Sequence, residues 1–396
     1  MNAATARAAL AAVPIAGRAW CDGVLRDQLA LHAIAAPTGA EDARAEWVGA
    51  RFHELGLTGI RGDSAGNVIG MRQGSEPVAP VVVCAHLDTV FSASTPLDLR
   101  RDGPRYVGPG IGDNARGLAA MLAVARAIDG RRLRARRPIV FVATTGEEGA
   151  GDLRGARTLF NDMARQVHAA VILDGPGDDR VIHQAVGARR LRLDWKGGGG
   201  HSWANFGVPN AVHAAAAAAA RLASLLLPRA PRTTLTVARM GGGLSINAIP
   251  DAAWLEVDLR STDDAALGAL EGALRHAALA ATSEEQARGL PGAPPLALTV
   301  TPIGGRPCGE VPLQEPLVAA AAAATRLAGL APVFEAASTD ANVPLSLGIP
   351  AVALGAGGAG GAAHTMQEWY DDTGSDVGLM RAMTVVLAAA GLGDGN

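Results

Sequence analysis

Four stretches of this chain, Val78 to Cys84, Pro138 to Ala143, Ala169 to Leu173 and Ile349 to Leu354, are apolar from end to end with no alternating polar residue. Successive side chains of a strand point to opposite faces, so a strand with one wet face must alternate, and one that does not is buried on both sides. Between the first two runs lies Gly117 to Ile128, a helical stretch of small residues. The order strand, helix, strand is that of an α/β layer whose sheet is mostly parallel and flanked by helices. Helical spacing also runs through Val24 to Ala35 and, after Pro37-Thr38-Gly39, through Glu41 to Leu55, with Gly56 as its stop.

The pattern changes near Gly187. Leu191 to Trp195 alternates, Ala211 to Leu227 has helical spacing, and Thr233 to Arg239 and Ala252 to Arg260 read as strands. A helix over Asp264 to Ala281 and a strand over Leu296 to Thr301 follow. This module is the size of an α+β two-layer sandwich inserted into the first domain. The Gly-Pro-rich stretch Gly289 to Pro295 is a loop within it. The chain then returns with a helix over Leu317 to Leu327 and the last buried run. The expectation is a discontinuous domain of residues 1–186 and 303–396, with an insert of residues 187–302. A length of 396 residues suits that division. There is no internal repeat.

Composition removes several function classes. With 35 basic and 38 acidic residues the net charge is −3, which offers no broad basic surface to neutralise phosphates, so nucleic acid is not the expected partner. Cys21, Cys84 and Cys308 are odd in number and far apart. They form neither a disulfide framework nor a Cys-x-x-Cys metal knuckle, which fits a reducing cytoplasm. Ala8 to Ala16 is apolar after Arg7, yet Pro14 breaks it and it is too short to span a bilayer; no membrane partner is expected, and a cleaved signal peptide is the lesser reading.

Chemistry concentrates where the buried strands end. His86-Leu87-Asp88 follows the first of them, and residues two apart on an extended segment share a face, so the imidazole can ligate a metal while Asp88 orients it. Taken alone, the same pair equally fits a strand-end histidine satisfied by an acid. Asp113, in Gly110-Ile111-Gly112-Asp113-Asn114, taken alone fits a helix N-cap; a carboxylate there can also bridge two cations. In Thr144-Thr145-Gly146-Glu147-Glu148-Gly149, two adjacent carboxylates sit at the carboxyl edge of the sheet, where open α/β sheets bind ligands. They repel one another unless a cation or proton separates their roles. A solvated acidic turn is the plain reading; the functional one gives one carboxylate to a metal and the other to general-base work on water. Asp174 closes the buried run Ala169 to Leu173, and His364 follows the glycine-rich loop after the last strand. Imidazole and carboxylate ligands without thiolates suit zinc, with manganese or cobalt as substitutes.

In this order, His86-Leu87-Asp88, Gly112-Asp113-Asn114, Gly146-Glu147-Glu148, Asp174 and His364 resemble the co-catalytic zinc peptidase family that includes carboxypeptidase G, aminoacylase and the bacterial tripeptidase. The resemblance covers about residue 25 to the C-terminus. It implies a zinc-exopeptidase-like catalytic domain holding two divalent metal ions: His86 and Asp174 on one, Glu148 and His364 on the other, with Asp113 between them. Glu147 resembles the family's general base and Asp88 its orienter of His86. A cis peptide after the bridging aspartate is implied for Asp113-Asn114. In the insert, His201 resembles the histidine that reaches the partner subunit's site and stabilises the oxyanion. Asn247 and Arg260 resemble the residues that bind the substrate's carboxylate or carbonyl, as a planar guanidinium is suited to do. The insert is thereby a dimerisation domain and the protein a homodimer. Lys196, near His201, reads as a solvated strand lysine.

Gly355-Ala356-Gly357-Gly358-Ala359-Gly360 meets a G-x-G-x-x-G pattern, but His364 and Gln367-Glu368 stand where a phosphate-capping helix should begin, so Gly357 is expected to line the substrate's end instead. No G-x-S-x-G elbow is present. The expected activity is di-metal-dependent hydrolysis of an amide bond in small peptides. An N-acyl amino acid amidohydrolase is the nearby alternative, and a binding protein that keeps the fold without turnover is the alternative of another class.

Overall fold

A computed structural model of the chain describes residues 3–13, 18–129, 133–163 and 166–393. The chain divides into two compact units, one of Met1–Ala185 with Gly309–Asn396 and one of Val186–Cys308. The first unit opens with α1 (Ala3–Ala12), α2 (Arg18–His32) and α3 (Asp42–Glu54), then β1 (Thr58–Gly62), β2 (Val68–Arg72), β3 (Val81–His86), β4 (Arg100–Asp102) and β5 (Arg105–Val107). It continues with α4 (Ala115–Ala127), β6 (Ile139–Thr144), α5 (Arg154–Met163), β7 (Ala169–Leu173) and β8 (Arg180–Ala185). The second unit holds β9 (Gly187–Lys196), β10 (Gly200–His201), α6 (Ala211–Ala223), β11 (Thr233–Gly242), β12 (Ala248–Ile249), β13 (Ala252–Ser261), α7 (Asp264–Ala287) and β14 (Ala297–Arg306). The first unit then resumes with β15 (Gly309–Glu310), α8 (Pro316–Leu327), β16 (Val333–Ala337), α9 (Asn342–Ser346), β17 (Ala351–Leu354), β18 (Ala359–Gly361), β19 (Trp369–Asp371) and α10 (Ser375–Ala390). The break at Pro14 falls outside the described residues. Among these, no helix is long and apolar enough to cross a membrane.

The large sheet of the first unit runs β1-β2-β6-β3-β7-β17-β8-β15, with β16 on β8. Its centre is parallel: β3 pairs β6 and β7, and β17 pairs β7, all in one direction. Every residue of β3, β6, β7 and β17 is buried, the condition that their unbroken apolar sequences require. Helix α4 is buried from Ala115 to Ala125, apolar but for Arg116, whose Nε donates to Ala356 O at 2.8 Å. Parallel strands end on the same side, so the residues following His86, Thr144, Leu173 and Leu354 share one sheet edge. The register sets His86 against Thr144 and Leu173 against Leu354.

In the second unit an antiparallel sheet of order β11-β13-β9-β14 packs against α6 and α7. Along β13 burial alternates, and Leu191, Leu193 and Trp195 of β9 fill the helix-facing side. The indole of Trp195 donates to Thr282 Oγ1 at 2.8 Å. Strand β14 runs on to Arg306, beyond the apolar alternation, because its pairing with β9 continues to Arg306 opposite Ala188.

One buried histidine of the first unit bears on stability. His32, at the end of α2, is 2% exposed; burial and the Arg44 guanidinium push its pKa from 6.5 down to about 4. The folded chain keeps it neutral while the unfolded chain protonates it, so its contribution is complete above pH 6.5 and is lost as pH falls from there to about 4. The loss is on the order of 3 kcal/mol. Urea unfolding at pH 7 and pH 4.5 should show His32→Gln losing less stability across that interval than the wild type; equal losses would remove His32 as the source.

Candidate metal centre

The turn after β3 is tied down before any ligand is considered. Arg44, fully buried, donates from Nη1 to Leu87 O and from Nη2 to Ile34 O, both at 2.7 Å. Asp88 carries more than the orientation of His86. Its Oδ1 accepts the Glu147 N–H and its Oδ2 the Glu148 N–H, each at 2.9 Å, and Thr38 Oγ1 donates to Oδ2 at 2.8 Å. His86 Nδ1 lies 3.1 Å from the Asp88 carbonyl oxygen and 3.5 Å from Asp88 Oδ1. Burial opposes the charge on Asp88, but the His86 imidazole and these donors outweigh it and hold the carboxyl at about 2.

The Glu147-Glu148 turn is clamped from several sides. Gly146, at φ 63°, donates its N–H to Glu41 Oε1 at 3.0 Å, and the Thr145 N–H goes to Asn67 Oδ1 at 2.9 Å. Thr144 Oγ1 donates to Asp340 Oδ2 at 2.5 Å. Glu147 and Glu148 are buried, at 4% and 7% exposure.

Asp113 leads into α4 without capping it. The helix is capped by Asn114, whose Oδ1 accepts the N–H of Gly117 and of Gly175, both at 3.0 Å, while its Nδ2 donates to Leu173 O at 3.0 Å. One side chain thus joins the segment bearing Asp113 to the segment bearing Asp174, and the Asp113-Asn114 peptide is cis. Released from capping, Asp113 faces both imidazoles: His86 Nε2 is 3.0 Å from Oδ1, and His364 Nε2 is 3.1 Å from Oδ2. His364 Nε2 is also 2.8 Å from Glu148 Oε1, and His86 Nε2 is 3.8 Å from Asp174 Oδ1.

Two groups of ligand atoms therefore share Asp113: His86, Asp113 and Asp174, and Asp113, Glu148 and His364, the atoms of each lying within 4.8 Å of one another. His86, Glu147 and Glu148 form a further grouping of the same kind. The electrostatics follow from this crowding of carboxylates. Burial disfavours a charged His86, but Asp113 and Asp88 reverse that and raise its pKa well above 6.5. The Asp113 contact raises His364 to about 9. Burial raises Glu148. Asp340, also buried, is pushed up to about 6.

A cation fits these donors. Asp113 Oδ1 is buried and takes no hydrogen bond although His86 Nε2 stands 3.0 Å away. A metal ion that takes the place of the imidazole proton finds two lone-pair donors at this spacing, and the set contains oxygen and imidazole but no thiolate.

The remaining residues singled out from sequence have their own local surroundings. Gly357 is buried, donates its N–H to Gly177 O at 3.1 Å, and has φ 93°; a Cβ there would stand 2.3 Å from Ser375 O. Its need for glycine comes from close packing on the start of α10. In the second unit, β10 pairs β12 and the Ser202 N–H bonds Asn247 O at 2.9 Å, which brings His201 and Asn247 together. His201 Nδ1 accepts the N–H groups of Trp203 and Ala204 at 3.2 and 3.4 Å, a geometry that leaves the ring proton on Nε2. Arg260 lies near the end of β13, with Nε bonded to Asp258 Oδ2 at 2.9 Å. Sequence reading gave no role to Arg44, Glu41, Asn67 or the side chain of Asn114, none of which sits in a pattern that marks it before the chain is folded.

A parallel sheet edge carrying two overlapping imidazole and carboxylate groups defines a metal-binding hydrolase. The chain belongs to peptidase family M20/M25/M40, whose family model matches residues 82–390, and it is thus a hydrolase acting on C–N bonds. Among solved structures of the same fold, a tripeptidase of Staphylococcus aureus is 22% identical with a TM-score of 0.77, over 93% of this chain and 98% of its own. The aminopeptidase PepT of Bacillus cereus is 20% identical with a TM-score of 0.76, over 94% and 99%. YxeP of Bacillus subtilis, a dinuclear metal binding peptidase of the M20 family, is 17% identical with a TM-score of 0.68, over 94% and 98%. No curated protein sequence matches the chain.

Proposed function

We propose that this chain hydrolyses the amide bonds of small peptides at a centre for two divalent metal ions. His86 and Asp174 would hold one ion, Glu148 and His364 the other, and Asp113 would serve both; zinc is the expected metal. The observation that carries the reading is the sharing of Asp113 between two ligand groups, each within 4.8 Å, with the Glu147 carboxylate grouped beside His86 and Glu148. Two divalent ions, when bound, supply the Lewis acidity that makes water a nucleophile near neutral pH and polarises the scissile carbonyl.

The remaining steps belong to the protein. Glu147 takes the proton of the attacking water and later hands it to the leaving amine. Asp88 holds both glutamates through their backbone N–H groups and faces His86, so the base and a metal-binding carboxylate are set by one anchor. The Nε2–H of His201 is the donor for the tetrahedral oxyanion, and Asn247 and Arg260 recognise the substrate's carbonyl and carboxylate. His201 would reach the substrate held by a second copy of the chain, making the protein a homodimer through the second unit.

Family membership and the shared fold of a tripeptidase and an aminopeptidase favour peptides over N-acyl amino acids. The test is a hydrolysis screen of di- and tripeptides against N-acyl amino acids, before and after chelation. Peptide cleavage that stops with chelator and returns with zinc, manganese or cobalt is the expected result. Preference for N-acyl amino acids would overturn the peptidase assignment, and indifference to chelator would overturn the metal centre.

A further inference from the structure

Glu368 stands four positions after His364 and just before β19, and it is 2% exposed. Its carboxylate accepts three backbone N–H groups, from Gly110 to Oε2 and from Gly112 and Asp113 to Oε1, each at 2.8 Å. Its carbonyl oxygen accepts the Gly108 N–H at 2.8 Å, and its own N–H bonds Thr365 O at 3.1 Å. At Gly112 a Cβ would lie 3.2 Å from Oε1, so the loop approaches as closely as glycine permits. Charge-assisted bonds of this length are about twice as strong as neutral ones, and all three fix the few residues ending at Asp113.

We infer that Glu368 is a positioning residue for the metal centre: a buried carboxylate that fixes the Asp113 backbone to the segment carrying His364, so that the common ligand and the His364 ligand keep one geometry. The inference rests on the dinuclear reading of the site and extends it to a residue that touches neither ion. Metal–ligand distances tolerate about 0.2 Å, whereas a loop with three released N–H groups can shift by more. Because Asp113 belongs to both groups, both ions weaken when the tie is cut. The group that contains His364 weakens more, since both ends of its tie are released.

The test is equilibrium titration with zinc ion, against a competing chelator, of chelator-treated wild type, Glu368→Gln and Glu368→Asp, with thermal unfolding of the metal-free forms alongside. Glutamine keeps one acceptor oxygen but turns an N–H toward the loop; aspartate keeps the charge on a shorter arm. The expected result is two zinc ions on the wild type and a 10- to 100-fold loss of affinity in Glu368→Gln, the range for residues that orient ligands, larger for one ion than the other, with Glu368→Asp intermediate. A role in folding alone would lower the metal-free unfolding temperature and leave the affinity of the folded variants at the wild-type value; that outcome overturns the inference while leaving the dinuclear site standing. A wild type that binds no zinc overturns both.

Discussion

Glu147→Gln keeps its fold and its divalent ions and loses about 10²- to 10⁴-fold in kcat, with KM little changed. Glutamine has the shape of glutamate, and the Glu147 N–H stays bonded to Asp88 Oδ1 whatever the side chain. What disappears is the only function the neutral amide cannot perform, receiving a proton and giving it back. The loss falls on kcat because that proton moves only after substrate is bound. Metal analysis with steady-state kinetics on a cleaved peptide checks both halves. A rate within tenfold of wild type would exclude Glu147 as the base, and a loss of bound metal would make it a ligand instead, in line with the His86, Glu147 and Glu148 grouping.

Asp113→Ala removes the carboxylate common to both groups and should abolish stoichiometric binding of either ion, with affinity down by more than the 10- to 100-fold given by residues outside the ligand set. His86 with Asp174 and Glu148 with His364 then remain as pairs with no shared oxygen between them. Thermal unfolding reports this without any substrate. An ion at 1,000 times its Kd stabilises a folded protein by about 4 kcal/mol, so wild type should melt several degrees higher when metal is added, whereas Asp113→Ala should melt at one temperature with and without it. A metal-dependent shift in the variant equal to that of the wild type would show that Asp113 is not shared.

How much of this was legible beforehand follows from what each residue does. The four central strands were, because a run such as Val81, Val82 and Val83 has no polar residue to turn toward water and must be covered on both faces. Asp174 and His86 were legible as chemistry because they stand where those runs stop. The N-terminal hairpin of β1 and β2 was not: Gly59 and Gly62 dilute its pattern, and its partner β6 is distant in sequence. The small sheet β18-β19-β5-β4 was hidden for the same reason, being built from three-residue strands. At the site, Asp113 and Asn114 are both good caps by composition, and only the fold shows that Asn114 takes the helix while Asp113 turns to the imidazoles. The triple acceptor role of Asp88 had no local signal, since the two N–H groups that it takes lie 59 and 60 residues away.

The place of β17 in the large sheet governs the order of events during synthesis. It lies between β7 and β8, yet it is made only after the whole second unit. At 5 to 20 residues per second the ribosome needs roughly 10 to 30 s to travel from Ala185 to Ala351. For that interval β7 and β8 face a gap that no earlier segment fills, while the second unit, continuous in sequence, can already close its own sheet. A nascent chain in this condition exposes apolar strand edges of the kind that pair with other chains, so the yield of folded protein depends on what shields them until the missing strand emerges.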